Sequence, residues 1–235
     1  MATQIPFALR QSDGRYVEAS EVQSGLACGC ICPQCGTNLV ARHKRRSQRR
    51  SHFAHITKLN CEGAWETVLH KTAKQIVGEV FKINFRFGDS GFRYEYQYDE
   101  AHVEKSFAGF VPDVTTRLEG IPLLIEILVT HEVDESKEEK IRRAKVTCVE
   151  IDLSKVRRTI TYSELRDRIC GGSYPARLVH NEWNELQQLI DSAFAFRHPR
   201  KFAALQLQKQ LARDAKVAAQ KMQEEWYQRA PWLKP

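Results

Sequence analysis

From Ala64 to Lys82 apolar residues return at Leu69, Ala73, Ile76, Val77, Val80 and Phe81, the three-to-four spacing of an amphipathic helix. Beyond it the period falls to two. Phe92 to Tyr98 alternates aromatic with polar residues, and Phe107 to Thr116 and Leu123 to Thr130 read as further strands, the last apolar enough to be central in a sheet. Asp134 to Lys145 is a charged helix with an exposed look, and Val146 to Leu153 is the next strand. The order of this middle region is therefore helix, three strands, helix, strand. From about Tyr162 onward the pattern is mainly helical, interrupted at Gly171, Gly172 and Pro175. Arg197 to Arg229 spaces Phe202, Leu205, Leu207, Leu211, Ala215, Ala218, Ala219 and Met222 among many basic residues. Such a tail helix is expected to pack on the core or on another copy or protein partner, with nucleic-acid contact as the alternative. The expectation is an α/β protein in three regions: residues 1–61, a core at 62–155, and a helical C-terminal extension at 156–235.

Composition supports a folded chain: 42% of the 235 residues are hydrophobic and 28% charged, which argues against disorder and against a disulfide-rich miniprotein. No run of 18 apolar residues occurs, and Met1 to Arg10 lacks the features of a secretory signal, so the protein is expected in the cytoplasm with no membrane partner. The formal charge of +7 favours a polyanion as partner. That charge is unevenly placed. Val22 to Cys61 contains no acidic residue, while Arg42, Lys44, Arg45, Arg46, Arg49, Arg50 and Lys58 are all basic.

Five of the seven cysteines fall between Cys28 and Cys61, which in a reducing compartment suggests a metal site before disulfides. Cys32-Pro-Gln-Cys35 is a short turn able to present two thiolates to one ion, and Gly36 helps it bend. His52-Phe-Ala-His55 and Cys61 supply three further candidates, of which tetrahedral zinc needs two. The preferred set is Cys32, Cys35, His55 and Cys61, with His52 as alternate and Cys28 and Cys30 as substitutes. Four protein ligands leave no open position, so the Zn²⁺ would be structural. The run from Arg42 to Arg50 lies in the loop between the ligand pairs, where Arg42, Lys44, Arg45, Arg46, Arg49 and Arg50 could hold phosphates without reading sequence.

Asp113 follows Pro112 in one expected strand and Glu126 lies in the next, with Leu118-Glu119-Gly120-Ile121-Pro122 as a tight turn between them. A hairpin centred between Glu119 and Gly120 pairs Asp113 directly with Glu126 and puts two carboxylates on one face. Opposed side chains have Cβ atoms roughly 4.5–5.5 Å apart, close enough to share a divalent cation, whereas a slip of one residue sends them to opposite faces. Glu126 sits within Leu-Leu-Ile-Glu-Ile-Leu-Val, where an unpaired carboxylate is costly. On the preceding helix Glu66 and His70 are one turn apart, and Lys74 follows one turn later.

These residues together resemble the CoiA-like competence-protein family: Cys32-Pro-Gln-Cys35, His52-Phe-Ala-His55 and Cys61, then Glu66 with His70 and Lys71, Pro112-Asp113-Val114, Ile125-Glu126-Ile127, and Val129-Thr130-His131 with Lys137. The resemblance spans roughly residues 5–155. It implies a PD-(D/E)xK restriction-endonuclease-like core, αβββαβ, behind a zinc-binding segment, and a nuclease that hydrolyses DNA in uptake, recombination, mobile-element or defence processes. Asp113 and Glu126 would hold Mg²⁺ or Mn²⁺, and Glu66 would support metal or water. One departure stands out: two residues after Glu126, where this fold carries Lys or Gln, the chain has Leu128. Lys137 is the preferred replacement, with Lys74 and His131 as alternatives. An inactive module holding DNA or RNA, and an interaction scaffold, are the competing readings.

Overall fold

The computed structural model describes residues 5–43, 50–56, 61–88 and 90–229. The chain forms two compact units, one of Met1–Gly88 with Arg93–Asn184 and the other of Asp89–Phe92 with Glu185–Pro235. The first begins with five short strands, β1 (Phe7–Arg10), β2 (Tyr16–Glu18), β3 (Cys30–Ile31), β4 (Leu39–Arg42) and β5 (His52–His55). They make a three-stranded sheet ordered β2-β1-β3 and a β4-β5 hairpin.

Helix α1 (Ala64–Glu79) comes next and buries Val68, Leu69, Thr72, Ala73, Ile76 and Val77 along one side, including Leu69, Ala73, Ile76 and Val77 of the expected stripe. It ends three residues before the expected Lys82, because the chain turns extended at Val80 to start the next strand, and Phe81 is exposed. The following strands are β6 (Lys82–Phe87), β7 (Phe92–Gln97), β8 (Glu100–Val103), β9 (Val114–Leu118) and β10 (Ile121–Leu128). Helix α2 (Glu135–Arg143), β11 (Thr147–Asp152), α3 (Tyr162–Cys170) and β12 (Pro175–His180) complete the unit. One seven-stranded mixed sheet results, ordered β7-β6-β12-β11-β10-β9-β8. Its two edge strands, β7 and β8, are joined through only Tyr98 and Asp99, so the sheet has to curl until its edges meet. The Tyr96 hydroxyl of β7 accordingly lies 3.2 Å from Thr116 Oγ1 of β9, and Phe85, Tyr96 and Tyr98 stack inside the curl.

The protein is thus mixed α/β, with differences from the expected αβββαβ order that have local causes. The expected strand from Phe107 to Thr116 starts only at Val114, because Ala108 and Gly109 both take positive φ in a tight Phe107–Phe110 turn and Pro112 has no amide to give a ladder. Strands β6 and β8 add two members to the three expected. The region after residue 155 is not helical throughout: β12 lies between β11 and β6, so residues 156–184 belong to the sheet-bearing unit, not to a separate extension. Residues 1–61 are likewise part of that same unit.

The second unit carries most of α4 (Asn184–Arg197) and α5 (Pro199–Arg229), and the bond from His198 N–H to the Phe194 carbonyl keeps the chain helical between them. Along α5, Leu207, Leu211 and Met222 are exposed. Among the described residues no helix is long and apolar enough to cross a membrane.

Candidate functional site

In the N-terminal segment, the Cys32–Cys35 turn closes through the Gly36 N–H to the Cys32 carbonyl at 2.9 Å, with Gly36 at a φ of +71°, a conformation that strains side-chain-bearing residues. Strand β5 pairs with β4 in the register Leu39↔His55 and Arg42↔His52 and brings His55 back over this turn. Cys61, just before α1, completes the group. The ligand atoms of Cys32, Cys35, His55 and Cys61 all lie within 4.8 Å of one another, with Cys32 and Cys61 sulfurs 3.9 Å apart and Cys35 Sγ 3.3 Å from His55 Nε2. A tetrahedron with Zn–S bonds of about 2.3 Å has sulfur–sulfur edges of about 3.8 Å, so the spacing and the soft donor set fit zinc.

The alternatives are turned elsewhere. His52 and His55 are three residues apart on a strand and so face opposite ways; the His52 ring meets the Arg50 carbonyl at 3.1 Å instead. The Cys28 and Cys30 thiols are buried against the carbonyls of Leu39 and Cys28. Against the opposing effect of burial, hydrogen bonds from Thr37 and His55 bring the Cys35 thiol down to about 6, toward the ligating thiolate. Of the basic loop, Arg42 is exposed at the end of β4 and Arg50 donates to the Thr159 carbonyl, while Lys44, Arg45, Arg46 and Arg49 lie outside the described residues.

The carboxylates lie where β9 and β10 meet α1. Leu118-Glu119-Gly120-Ile121 forms a two-residue hairpin turn with positive φ at Glu119 and Gly120, and the ladder runs Ile121↔Leu118 through Ile125↔Val114. That register puts Asp113 opposite Glu126, as the sequence arithmetic requires. Asp113 lies one residue before β9, where the chain bends. Its Oδ2 accepts the Ile127 N–H at 2.9 Å and lies 2.8 Å from His70 Nε2, and its Oδ1 is 3.4 Å from Lys74 Nζ, which also binds Glu104 at 2.5 Å. Burial works to raise the Asp113 pKa, but the hydrogen bond and charge of His70, the charge of Lys74 and the Ile127 amide outweigh it and hold the carboxyl well below its ordinary range.

Glu126 meets a different environment. Asp134 caps α2 by accepting the Lys137 N–H at 2.8 Å, which pins the first turn and lets Lys137 Nζ reach Glu126 Oε2 at 2.6 Å. Glu126 Oε1 is buried without a hydrogen-bond partner among the described residues. Burial first, then the negative charge of Asp113, push this carboxyl up to about 7 despite Lys137. Glu66, His70, Asp113, Glu126, His131 and Lys137 all line one cavity of about 350 Å³. Glu66, Asp113 and Glu126 nevertheless do not converge as a close-set ligand group; among the described residues only the Cys/His quartet does.

One cavity residue gave no signal in the sequence. Glu150 of β11 pairs in parallel with Glu126, is buried, and holds the cavity wall by accepting the Val133 N–H at 2.8 Å while Arg177 Nε donates to its other oxygen at 2.6 Å. An acid at the same place on the neighbouring parallel strand is visible only once the strand register is known. No protein-family model, curated protein or solved structure matches this chain.

Proposed function

We propose that this protein is a phosphodiesterase of the divalent-metal-dependent kind, in which the Cys/His quartet staples the N-terminal segment and the Asp113–Glu126 cavity does the chemistry. More particularly, we infer a DNA nuclease with a CoiA-like, PD-(D/E)xK organisation. The observation that carries this reading is the buried Glu126 Oε1, left without a partner among the described residues at a cavity it shares with Asp113. Burying an acceptor with nothing to bind costs roughly 1–3 kcal/mol, and a hard cation in the cavity removes that cost. The carboxylate oxygens of Asp113 and Glu126 suit Mg²⁺ or Mn²⁺, and Glu66 lines the same cavity.

A cation bound there would lower the pKa of water and offset negative charge developing on the phosphoryl oxygens. This chain's own groups divide the rest. His70 and Lys74 fix the Asp113 carboxylate, and Lys137, anchored by the α2 cap, supplies the ammonium that Leu128 does not. Lys137 can release Glu126 to a cation and turn to a phosphate oxygen, since its side chain is 25% exposed and keeps contact with water.

The Lys137–Glu126 ion pair also favours a second reading, a nucleic-acid-binding module in which the lysine keeps the carboxylate satisfied and no cation enters. Cleavage of labelled single-stranded, double-stranded and branched DNA and of RNA, in Mg²⁺, Mn²⁺ or chelator, separates the two. Metal-dependent cutting that disappears in Asp113→Ala is expected. Binding without cutting in every metal favours the module.

A further inference from the structure

A second cleft, of about 410 Å³, lies between the N-terminal segment and the loop that follows β11. Its lining includes Arg50, Lys155, Arg157 and Arg168, with Glu164 as the one acid. Glu164 is taken up by Arg168 at 2.7 Å. Among the described residues Arg50, Lys155 and Arg157 form no ion pair with a carboxylate; Arg50 instead donates to the Thr159 carbonyl, which ties the two walls together. The Tyr174 hydroxyl is buried beside them without a well-aligned hydrogen bond. With Glu164 taken up by Arg168, the remaining cations Arg50, Lys155 and Arg157 face one concavity without a carboxylate among the described residues and repel one another, and an anionic ligand relieves that repulsion.

The cleft has a definite relation to the carboxylate cavity. Strands β10 and β11 run parallel, with Leu128 paired to Asp152, and the Leu153 N–H bonds the Leu128 carbonyl at 2.8 Å. The loop bearing Lys155 and Arg157 therefore starts at the carboxyl end of the same two strands that carry Glu126 and Glu150. A chain of evenly spaced phosphates is the anion that can occupy both places at once. We propose that the Arg50–Lys155–Arg157–Arg168 cleft binds the phosphodiester backbone of a nucleic acid whose next phosphates lie toward the Asp113–Glu126 cavity. The binding stands on the cleft alone; its link to cutting rests on the nuclease reading.

The test is fluorescence anisotropy of the full chain, zinc-loaded and without Mg²⁺ so that no cutting occurs, with labelled single-stranded DNA, duplex DNA and RNA of one sequence. Lys155→Ala/Arg157→Ala removes two exposed cations whose side chains make no hydrogen bond or ion pair among the described residues. The expected result is at least tenfold weaker binding to whichever nucleic acid the wild type prefers, and a salt dependence shallower by roughly one power of salt concentration per lost contact. Lys155→Arg/Arg157→Lys, which keeps both charges, should bind as the wild type does, and circular dichroism and zinc content should be unchanged in both. Binding within twofold of wild type in the alanine variant, or no salt-sensitive binding by the wild type to any of the three, overturns the proposal. Loss of binding in the alanine variant, together with a wild type that never cuts in Mg²⁺ or Mn²⁺, upholds the cleft and removes only the nuclease reading.

Discussion

Glu126→Gln is a perturbation whose size follows from the geometry. The Glu126 side chain is 4% exposed, holds Lys137 through one oxygen and has no partner for the other among the described residues. Burial and then Asp113 carry its carboxyl from 4.5 to about 7. Such an acid binds more protons folded than unfolded, so its ionisation weakens the fold: the cost is absent below about pH 4.5, grows up to about pH 7 and is complete above it. Carried over that interval it amounts to about 3 kcal/mol, of which about 2 kcal/mol accrues between about pH 5.5 and pH 8.5. Asp113 is shifted the other way, so its contribution is present above its ordinary 3.8 and is lost only in more acidic solution, outside this window. Glutamine has the same shape and no proton to lose. In denaturant unfolding of zinc-loaded protein without Mg²⁺, the variant should gain on the wild type by about 2 kcal/mol as pH rises from about 5.5 to about 8.5. Millimolar Mg²⁺ should then stabilise the wild type at the alkaline end and leave the variant unmoved. A difference between the two proteins that stays flat across this range refutes the reasoning, because Glu126 would then ionise as it does in the unfolded chain.

Three more outcomes can be checked. Cys35→Ser should take zinc from about one per chain to near none by metal analysis and unfold the N-terminal segment, whereas His52→Ala should keep its zinc. Lys137→Ala should slow single-turnover cleavage by about 100-fold or more at unchanged DNA affinity, and adding Leu128→Lys on the same face of β10 should restore part of it. Lys74→Met keeps the buried stem but takes the ammonium from Asp113 Oδ1 and from Glu104; because Asp113 keeps His70 and the Ile127 N–H and Glu104 is half exposed, stability near pH 7 should fall by about 1 kcal/mol in denaturant titration.

The parts legible in the sequence were those set by short-range rules. The Cys32–Cys35 turn needs only a glycine after it, and the Glu119-Gly120 hairpin sets the pairing of the strands on either side, so the Cys/His quartet and the Asp113–Glu126 register follow from counting. The choice between His52 and His55 was equally open to counting, through the two-residue period of a strand, had β5 been read as one. Strand β6 alternates Ile83, Phe85 and Phe87 and carried a readable signal. Strand β12 did not: Pro175-Ala-Arg-Leu-Val-His180 has little alternation, and its strand state comes from the gap between β11 and β6 that it fills. His70, Lys74 and Lys137 stood out in the sequence as candidates beside the carboxylates, but which of them meets which acid depends on where α1 and α2 lie over the sheet, which no local pattern encodes. Glu150 and the basic cleft share this long-range origin.

The position of β12 also governs how the molecule can be assembled and cut down. Until residues 175–180 are in place, β7-β6 and β11-β10-β9-β8 are two separate ribbons with raw edges at β6 and β11. On the ribosome, the seven-stranded sheet cannot be completed until the chain has emerged beyond His180, and until then its open edges invite pairing with other chains. A gene fragment stopped after β11 would encode every carboxylate of the cavity and yet give a sticky, incomplete product, so the shortest version worth expressing ends no earlier than the end of β12.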